Sequence, residues 1–267
     1  MSRVQVMGVV NVTPDSFSDG GRFLDHAAAL AHARRLIADG ADILDVGGES
    51  TRPGSDPVSA DEEIARVVPL IAAIRAQSDI AISIDTMKPS VARAAVAAGA
   101  GIWNDVAALR HAPDALATAA ELGCEVVLMH MQGEPGTMQR EPHYDDVTAE
   151  VCDFLISRAE AAMAAGVARE RIWLDPGIGF GKHMTRHNLP LLANLGRVVA
   201  LSFPVLLGVS RKSFIGALDP GSGPGDRLGG SIAGALAGAA AGVAAVRVHD
   251  VRETVQALRV WRAIAEA

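Results

Sequence analysis

Cysteine, aromatic side chains and positive charge are all scarce in this chain of 267 residues. Its two cysteines, Cys124 and Cys152, are too few for a disulfide framework and lie at no metal-binding spacing, so we expect free, buried or half-buried thiols. A net charge of -7 argues against a nucleic-acid-binding surface, which would need an excess of basic residues. A local basic pocket for an anionic small molecule is still compatible with that overall sign.

Strongly apolar runs long enough to cross a membrane are also missing. The one long stretch without charge, 228–246, consists almost entirely of glycine and alanine, which drive a helix into lipid only weakly. We interpret it as a buried helix that runs into a strand. The first residues show no signal-peptide pattern. The sequence therefore predicts a soluble, cytoplasmic protein with no membrane partner.

What the sequence does contain is an alternation of short apolar runs and amphipathic stretches, repeated eight times. The apolar runs, which we interpret as strands, are Val4–Val10, Ile43–Val46, Ile80–Ile84, Gly101–Trp103, Glu125–Met129, Ile172–Leu174, Val205–Val209 and Ala245–Val248. The predicted helices are His26–Ala38, Ala60–Ala76, Pro89–Ala98, Pro113–Leu122, Asp145–Ala165, Arg186–Val199, Asp226–Ala241 and Val251–Ala265. This pattern predicts an α/β protein with one domain over residues 1–267, a single (β/α)₈ TIM barrel. An open doubly wound sheet is the alternative.

Polar residues support the barrel, because a side chain that can bind or catalyse lies in the last part of every apolar run or directly after it. These residues are Asn11, Asp45, Asp85, Asn104 with Asp105, His130, Asp175, Ser210 with Lys212, and Arg247 with His249. Any one of them could be an ordinary turn or helix-capping residue. Residues at the carboxyl ends of barrel strands, however, point into the mouth where enzymes of this architecture work. We therefore predict an active site at the carboxyl ends of the strands.

Several residues of this ring suit a flat heterocycle. Asp85 and Asp175 are acceptors, and Asn104 is both a donor and an acceptor. A carboxylate that faces a ring N–H and a neighbouring amino group forms two parallel hydrogen bonds, the pattern that a 2-amino-4-oxo pyrimidine face of guanine or pterin presents. Lys212 is suited to donate to the ring carbonyl, and Arg247 to lie on the π face of the ring.

The same ring also offers groups for an anion. Arg247, His249 and the loop amides near Asn11 are suited to phosphate, although neither a phosphate-binding loop nor a dinucleotide fingerprint is present. Gly177–Gly181 lacks their spacing and is better interpreted as a tight turn that projects Phe180 toward the mouth. No nucleophile elbow or Ser-His-Asp order occurs. The site is therefore predicted to position reactants without forming a covalent enzyme intermediate.

Lysine and histidine positions give weaker indications. Lysine occurs only as Lys88, Lys182 and Lys212, each in a loop after a predicted strand, which suggests that the compact ammonium group is required there. His183 and His187 lie four residues apart but lack a third metal ligand nearby, so we interpret them as surface helix positions.

A stripe of glycines marks the seventh predicted helix, at Gly230, Gly234, Gly238 and Gly242. Small residues at this spacing permit close approach of another element. Two interpretations remain open, packing against the chain's own barrel and packing across a dimer interface.

Two long motifs and several short ones resemble those of the dihydropteroate synthase family. The long motifs are Met7–Gly21 (MGVVNVTPDSFSDGG) and Asp45–Gly54 (DVGGESTRPG). The short ones are Ser83–Thr86, Asn104–Asp105, Met129–Met131, Asp175–Lys182, Ser210–Ser213 and Arg247–Val251. The resemblance covers essentially the whole chain, and no functional position departs from the family pattern.

The resemblance implies a transferase of folate biosynthesis and a sulfonamide target. Such an enzyme joins 4-aminobenzoate to (7,8-dihydropterin-6-yl)methyl diphosphate, with release of diphosphate. The resemblance also implies that four residues bind the pterin, namely Asp85, Asn104, Asp175 and Lys212, and that Arg247 stacks over the ring. Asp85, Lys212 and Arg247 are the residues that we expect to act in catalysis.

The resemblance also implies a second set of ligand contacts. Asn11 would bind Mg²⁺, and Thr51, Arg247 and His249 would hold the diphosphate. Three residues would surround the aminobenzoate ring, namely Phe17, Pro53 and Phe180. Ser213 or Arg52 would bind its carboxylate. The family further implies a homodimer formed by the late helices.

Two other functions compete with this prediction. A barrel methyltransferase that passes a methyl group from a folate to a corrinoid protein would share the pterin carboxylates. It would not need the loop residues Asn11–Gly21 and Ser50–Gly54, nor the diphosphate contacts of Arg247 and His249. A non-catalytic pterin-binding relative would be expected to lack one of these residues, and none is missing.

Overall fold

Eight parallel strands form one sheet in the computed structural model, which describes residues 3–12, 21–50, 57–133 and 136–267. The strands are β1 Gln5–Asn11, β2 Ile43–Gly47, β3 Ala81–Asp85, β4 Ile102–Asp105, β5 Glu125–Met129, β6 Ile172–Asp175, β7 Leu206–Gly208 and β8 Ala245–Val248. Their order is β6-β5-β4-β3-β2-β1-β8-β7, and a parallel bridge between Leu174 and Val205 joins the two ends. The sheet therefore curls into the predicted (β/α)₈ TIM barrel, and the open doubly wound sheet is excluded.

Helices connect the strands on the outside of the barrel. In the described residues they are α1 Gly21–Ala38, α2 Ala60–Arg75, α3 Pro89–Ala97, α4 Ala115–Leu122, α5 Val147–Ala164, α6 Asn188–Ala193, α7 Leu195–Val199, α8 Ser213–Leu218, α9 Leu228–Ala241 and α10 Val251–Ala265. Local signals explain several of their ends. Ser59 caps α2 through a bond from the Glu62 amide, Asp146 caps α5, and left-handed Gly123 ends α4.

Three helical regions differ from the prediction. The first helix, α1, begins at Gly21, five residues before the predicted start at His26. The helix expected over Arg186–Val199 is split into α6 and α7, because Asn194 donates its side-chain amide to the Pro190 carbonyl and interrupts the regular pattern. The short helix α8 was not predicted at all. Six residues are too few to show a helical period in the sequence.

The inner face of the barrel explains how the strands position polar residues. Its lower layer is apolar and consists of Met7, Ile43, Ile102, Val127, Leu206 and Ala245, with Trp173 packed against it. Side chains that are two positions apart on a strand point to the same side. Two positions beyond Ile43, Ile102, Trp173 and Ala245, toward the carboxyl end, lie Asp45, Asn104, Asp175 and Arg247. The polar cluster therefore rests directly on a hydrophobic floor.

The glycine stripe of α9 faces the chain's own barrel. A Cβ atom on Gly230 would lie 2.4 Å from Ile215, one on Gly234 3.0 Å from Val209, and one on Gly238 2.5 Å from Leu207. These glycines let α9 approach β7 and α8 closely. Of the two open interpretations, packing within the barrel is confirmed.

Replacing Gly238 with alanine is expected to lower the free energy of unfolding by about 1–3 kcal/mol, because the new methyl group overpacks against Leu207. Gly229→Ala is the matched control in the same helix, since its Cβ would meet nothing within 4 Å. Denaturant unfolding of both variants checks this. Equal stability of the two variants would contradict the inward packing of the stripe.

The predictions for cysteine and for the uncharged stretch are confirmed. Cys124 is a buried free thiol and Cys152 a half-buried one, and burial raises the pKa of both. The stretch 228–246 contains α9 followed by the start of β8. Across the part of the chain that the structure describes, no helix is long and apolar enough to span a membrane.

Candidate active site

The predicted polar residues do meet at the carboxyl ends of the strands. Asn11, Asp85 and Asp175 are the last residues of β1, β3 and β6, and Arg247 lies one residue before the end of β8. Parallel strands present their carboxyl ends at one rim, so residues far apart in sequence share this mouth. We call the group Asp45, Asp85, Asn104, Asp175, Lys212 and Arg247 the mouth cluster.

Arg247 contacts two carboxylates of the mouth cluster, Asp45 and Asp85. Its Nε donates to Oδ2 of Asp45 at 2.6 Å, and its Nη2 donates to Oδ2 of Asp85 at 2.8 Å. Asn104 approaches Asp45 more loosely, with its Nδ2 at 3.3 and 3.4 Å from the two carboxylate oxygens. Asp45 is completely buried, and the Arg247 side chain is only 23% exposed. The guanidinium is therefore held in one orientation by two carboxylates from different strands.

Asp85 retains binding capacity. Its Oδ1 is buried and has no hydrogen-bond partner among the described residues, although its Oδ2 is paired with Arg247. Burial raises the pKa of Asp85 to about 7, and the positive charge of Arg247 opposes that rise. A buried acceptor without a partner is costly, so this oxygen is suited to a ligand that donates a hydrogen bond.

Asp175 and Lys212 form the other side of the mouth cluster. Oδ1 of Asp175 accepts a bond of 2.7 Å from the Gly177 amide. Lys212 donates through Nζ to the Ile178 carbonyl, and its Nζ lies 4.6 Å from the centre of the Phe180 ring. Burial raises the pKa of Asp175, and burial lowers the pKa of Lys212 to about 8, while the charge of each opposes the other's shift. Phe180 thus reaches the mouth as predicted, and its ring lies beneath the Lys212 ammonium.

The residues proposed for an anion lie nearby on other strands. The side chain of Asn11 faces β2, with Oδ1 3.6 Å from the position that a Cβ on Gly47 would occupy. His249 contacts the Ser210 hydroxyl through Nδ1 at 3.0 Å. Ser213 is exposed at the first position of α8. Phe17, Thr51, Arg52 and Pro53 lie outside the described residues.

The described residues also bear on metal binding. They contain no group of three or more His, Cys, Asp or Glu side chains that could hold a metal ion. His183 and His187, interpreted from the sequence as surface helix positions, instead cap the turn before α6. The His183 amide donates to Nδ1 of His187 at 3.0 Å, and Nδ1 of His183 accepts from the Thr185 and Arg186 amides.

Two aspartates, Asp45 within β2 and Asp105 at the end of β4, have roles that the sequence did not separate. Asp45 was placed in the ring but not among the site residues, yet it anchors Arg247. Asp105 accepts bonds of 2.7 Å from the amides of Ala107 and Leu109 and so stabilises the left-handed backbone of Leu109. Burial raises the pKa of Asp105 to about 6. Both aspartates belong to the predicted ring of polar residues, and only their partners in the structure distinguish a mouth residue from a loop residue.

All three lysines occupy organised positions in the structure. Lys88 bridges Glu49 and Glu63, each at 2.7 Å, and the Glu63 side chain is completely buried. The other carboxylate oxygen of Glu49 accepts a bond from the Val58 amide. Lys88 therefore holds the base of the loop that follows β2, whereas Lys182 is buried beneath the loop that follows β6.

Comparisons with known proteins identify relatives of this chain. A family model described as pterin binding enzyme matches residues 7–249. A dihydropteroate synthase of Escherichia coli K12 is 50% identical over 267 residues, which are all of this chain and 94% of that protein. The structure of a Xanthomonas albilineans dihydropteroate synthase with 4-aminobenzoic acid is 52% identical, with a TM-score of 0.93 over 99% of this chain and 94% of that one. A second structure of that enzyme, in complex with 7,8-dihydropteroate, is 50% identical with a TM-score of 0.90, over 99% and 95% of the chains.

Proposed function

The chain belongs to the dihydropteroate synthases, a group of pterin-binding enzymes, and we propose how its mouth cluster carries out their reaction. The enzyme is a transferase of folate synthesis that condenses (7,8-dihydropterin-6-yl)methyl diphosphate with 4-aminobenzoate. The observation that carries the residue assignments is the buried Oδ1 of Asp85, which has no hydrogen-bond partner among the described residues and lies at the end of β3 next to Asn104 of β4.

Pterin recognition is assigned to the carboxylates at the ends of β3 and β6. The free Oδ1 of Asp85 accepts from one edge of the ring, and the remaining oxygen of Asp175 accepts from the neighbouring N–H pair. Asn104, which is 4% exposed, supplies both a donor and an acceptor between them. Each of these atoms sits at a strand end above a packed apolar floor, so the pterin site is preorganised.

Lys212 and Arg247 supply the positive charge of the site. Arg247 uses Nε and Nη2 for carboxylates, so its plane is fixed while further N–H donors and its π face are available for the ligand. Lys212, between Phe180 and the Ile178 carbonyl, is placed to touch both substrates. His249, together with Arg247 and Thr51, is assigned to the diphosphate.

The residues present are compatible with Mg²⁺. The ion prefers oxygen ligands and commonly binds through one or two protein groups together with substrate phosphates and water. The amide oxygen of Asn11 at the end of β1 is such a group, and the described residues supply no rival cluster. When bound, Mg²⁺ would stabilise the charge that develops on the departing diphosphate.

The chain's own residues favour a dissociative substitution. The pterin methylene loses its bond to diphosphate oxygen, the electron pair leaves with the diphosphate, and the arylamine nitrogen forms the new bond and then loses a proton. Ionised Asp85 and Asp175 favour the positive charge that spreads over the pterin, while Arg247 and His249 face the leaving group. No strong general base is required, because the arylamine is already a usable nucleophile.

A coupled assay tests the function. Purified enzyme should release diphosphate only when the pterin diphosphate, 4-aminobenzoate and Mg²⁺ are all present, and dihydropteroate should accumulate in equal amount. Release of diphosphate without 4-aminobenzoate would identify a hydrolase instead. Pterin binding without any turnover would identify a non-catalytic relative.

The activity is expected to fall as the pH rises through about 8. Lys212 loses its proton in that range because burial lowers its pKa to about 8, and the neutral amine is a weaker donor to the pterin. The pH profile of kcat/KM for the pterin diphosphate reports this free-enzyme group. Lys212→Arg should lower activity but remove the alkaline decline, since arginine does not titrate there. If the arginine variant shows the same alkaline decline of kcat/KM, the titrating group belongs to the substrate and not to Lys212.

Binding of 4-aminobenzoate is expected to depend on the diphosphate. The proposed aminobenzoate contacts include Phe17, Arg52 and Pro53, which neighbour the proposed diphosphate groups Asn11 and Thr51 in sequence. Diphosphate with Mg²⁺ should therefore increase the affinity for a sulfonamide that mimics 4-aminobenzoate. Calorimetric titration with and without saturating diphosphate and Mg²⁺ measures the difference, and equal affinities would show that the pocket is preformed.

We further propose a cytoplasmic homodimer. Val260 and Ile264 on the last helix are 56% and 72% exposed, and Leu218 and Leu228 are also exposed. Val260 and Ile264, four residues apart on α10, offer this helix an exposed apolar strip that does not involve the glycine stripe. The free thiols of Cys124 and Cys152 suit a reducing compartment. Light scattering at micromolar concentration should give the dimer mass, and a monomer mass would contradict the proposal.

A further inference from the structure

Lys182 is a completely buried cation-forming side chain that no assigned step uses. It is 1% exposed, and its hydrogen bonds within the described residues go to a histidine ring and to backbone carbonyls. Its partners are neutral groups. Nζ lies 2.8 Å from Nδ1 of His130, 2.9 Å from the Gly177 carbonyl, 3.1 Å from the Phe180 carbonyl and 3.4 Å from the His130 carbonyl. Because this buried amine has a full set of hydrogen-bond partners, we interpret its surroundings as an organised binding site for the lysine side chain.

The backbone of the loop after β6 is shaped around this amine. Gly177, Gly179 and Gly181 all adopt left-handed φ angles, of 65°, 85° and 59°. A Cβ on Gly177 would lie 1.9 Å from the His130 carbonyl oxygen, and one on Gly181 2.3 Å from that of Gln132. The loop therefore packs directly on the chain segment that follows β5, and only glycine fits at these contacts.

The carbonyls of this loop are divided between two lysines. Those of Gly177 and Phe180 face Lys182 inside the protein, whereas that of Ile178 accepts from Lys212 at the mouth. The Phe180 ring lies under the Lys212 ammonium. The position of Lys182 consequently determines the position of Phe180 and of the carbonyl that orients Lys212.

His130 connects Lys182 to the strands. Its amide donates to the Asp175 carbonyl at 2.9 Å, and its ring packs edge-on against Phe154 at 4.8 Å. Burial, and next the charge of Lys182, lower the pKa of His130, so its ring is neutral. The contact between Nζ and Nδ1 is then a single hydrogen bond. Either the lysine donates to Nδ1, or an Nδ1–H group donates to a neutral lysine amine. Either arrangement keeps the contact between the two side chains.

We propose that Lys182 and His130 are positioning residues for the aminobenzoate half of the reaction, and that they act by holding the loop 176–181. The inference rests on the proposed assignment of Phe180 and Lys212 to that substrate. The pterin contacts of Asp85 and Asn104 are built on β3 and β4 without this loop. Loss of the pair should therefore weaken the use of 4-aminobenzoate more than pterin binding.

The test compares Lys182→Met, His130→Leu and His130→Asn. Asparagine places an oxygen where histidine has Nδ1, so it keeps a polar partner for the lysine, whereas leucine removes it. Lys182→Met and His130→Leu should each raise KM for 4-aminobenzoate roughly tenfold or more, because a small displacement of a positioned group has a large kinetic effect. The Kd for 6-hydroxymethylpterin, measured by calorimetry, should rise by a smaller factor than this KM, since Asp85 and Asn104 lie on β3 and β4 and only Asp175 and Lys212 of the pterin contacts touch the loop. His130→Asn should restore most of the KM.

Gly238→Ala is the stability control, since it strains the barrel on α9, away from the mouth. If it changes KM as much as the loop variants do, or if His130→Asn is as impaired as His130→Leu, the positioning role is wrong. Unchanged KM in folded Lys182→Met would also overturn it. Should Lys182→Met fail to fold, the two histidine variants decide.

Direct calorimetry separates this inference from the proposed function. The same variants are titrated with 4-aminobenzoate in the presence of saturating diphosphate and Mg²⁺, without turnover. A wild-type protein that binds both ligands but does not condense them would contradict the proposed function alone. The order of affinities among the Lys182 and His130 variants still supports or overturns the positioning role.

Discussion

Asp175→Asn is expected to weaken pterin binding by about 2–4 kcal/mol, because it places a buried donor against a donor. The structure dictates which way the new amide points. The Gly177 amide donates to Oδ1 of Asp175 at 2.7 Å, so the asparagine oxygen stays on that amide and its NH₂ group takes the position that faces the ligand. Calorimetry with 6-hydroxymethylpterin should show an affinity reduced roughly 30-fold or more.

Asp105→Asn is the matched control, because it alters a buried aspartate at the end of β4, two strands away from β6 in the sheet. Its carboxylate accepts from the amides of Ala107 and Leu109 rather than facing the mouth. It should lower stability and leave pterin affinity nearly unchanged. Undiminished affinity in Asp175→Asn, or an equal loss in both variants, would remove Asp175 from the pterin site.

Replacing Arg247 with methionine is expected to abolish condensation and to lower the free energy of unfolding by about 3–5 kcal/mol near neutral pH. The reason is that Arg247 is the direct cation partner of two carboxylates, Asp45 and Asp85, which are 0% and 13% exposed. Methionine fills much of the volume of the arginine side chain but leaves the two carboxylates in the barrel without their positively charged partner. Denaturant unfolding and the diphosphate-release assay measure the two effects.

The stability loss of Arg247→Met should depend on pH with a defined sign. Burial already raises the pKa of Asp85 to about 7, and removal of the arginine charge raises it further. An acid whose folded pKa exceeds its unfolded value of about 3.9 loses stability as the pH rises between those values. The wild-type protein stops losing stability near pH 7, where Asp85 is ionised in the folded state, whereas the variant goes on losing stability at higher pH. The difference in free energy of unfolding between wild type and Arg247→Met should therefore be larger at pH 8 than at pH 5.

Arg211→Met provides a comparison for that result. Arg211 also pairs with a carboxylate, Asp250, but the two side chains are 39% and 20% exposed. Its loss should lower stability by about 1 kcal/mol or less, with little dependence on pH, because solvent screens an exposed pair. Similar losses in Arg211→Met and Arg247→Met would show that burial of the mouth cluster does not matter.

The sequence by itself determined the barrel and the edge at which its active site lies. Continuous apolar runs such as Val205–Val209 mark strands that are covered on both faces, and their alternation with amphipathic stretches leaves few architectures. The strand period then places Asn104, Asp175 and Arg247 on the inner face, above an apolar layer. The motifs identified the family because they span the loops as well as the strands.

Only the tertiary structure decided which of these polar groups meet. Arg247 pairs with carboxylates 202 and 162 residues away, and no local pattern distinguishes Asp45, its anchor, from Asp105, which caps a loop. The same is true of Lys182 and His130, 52 residues apart. A strand's period determines which side a residue faces, whereas the partner across a barrel depends on strand tilt and stagger, which arise only when the whole sheet closes.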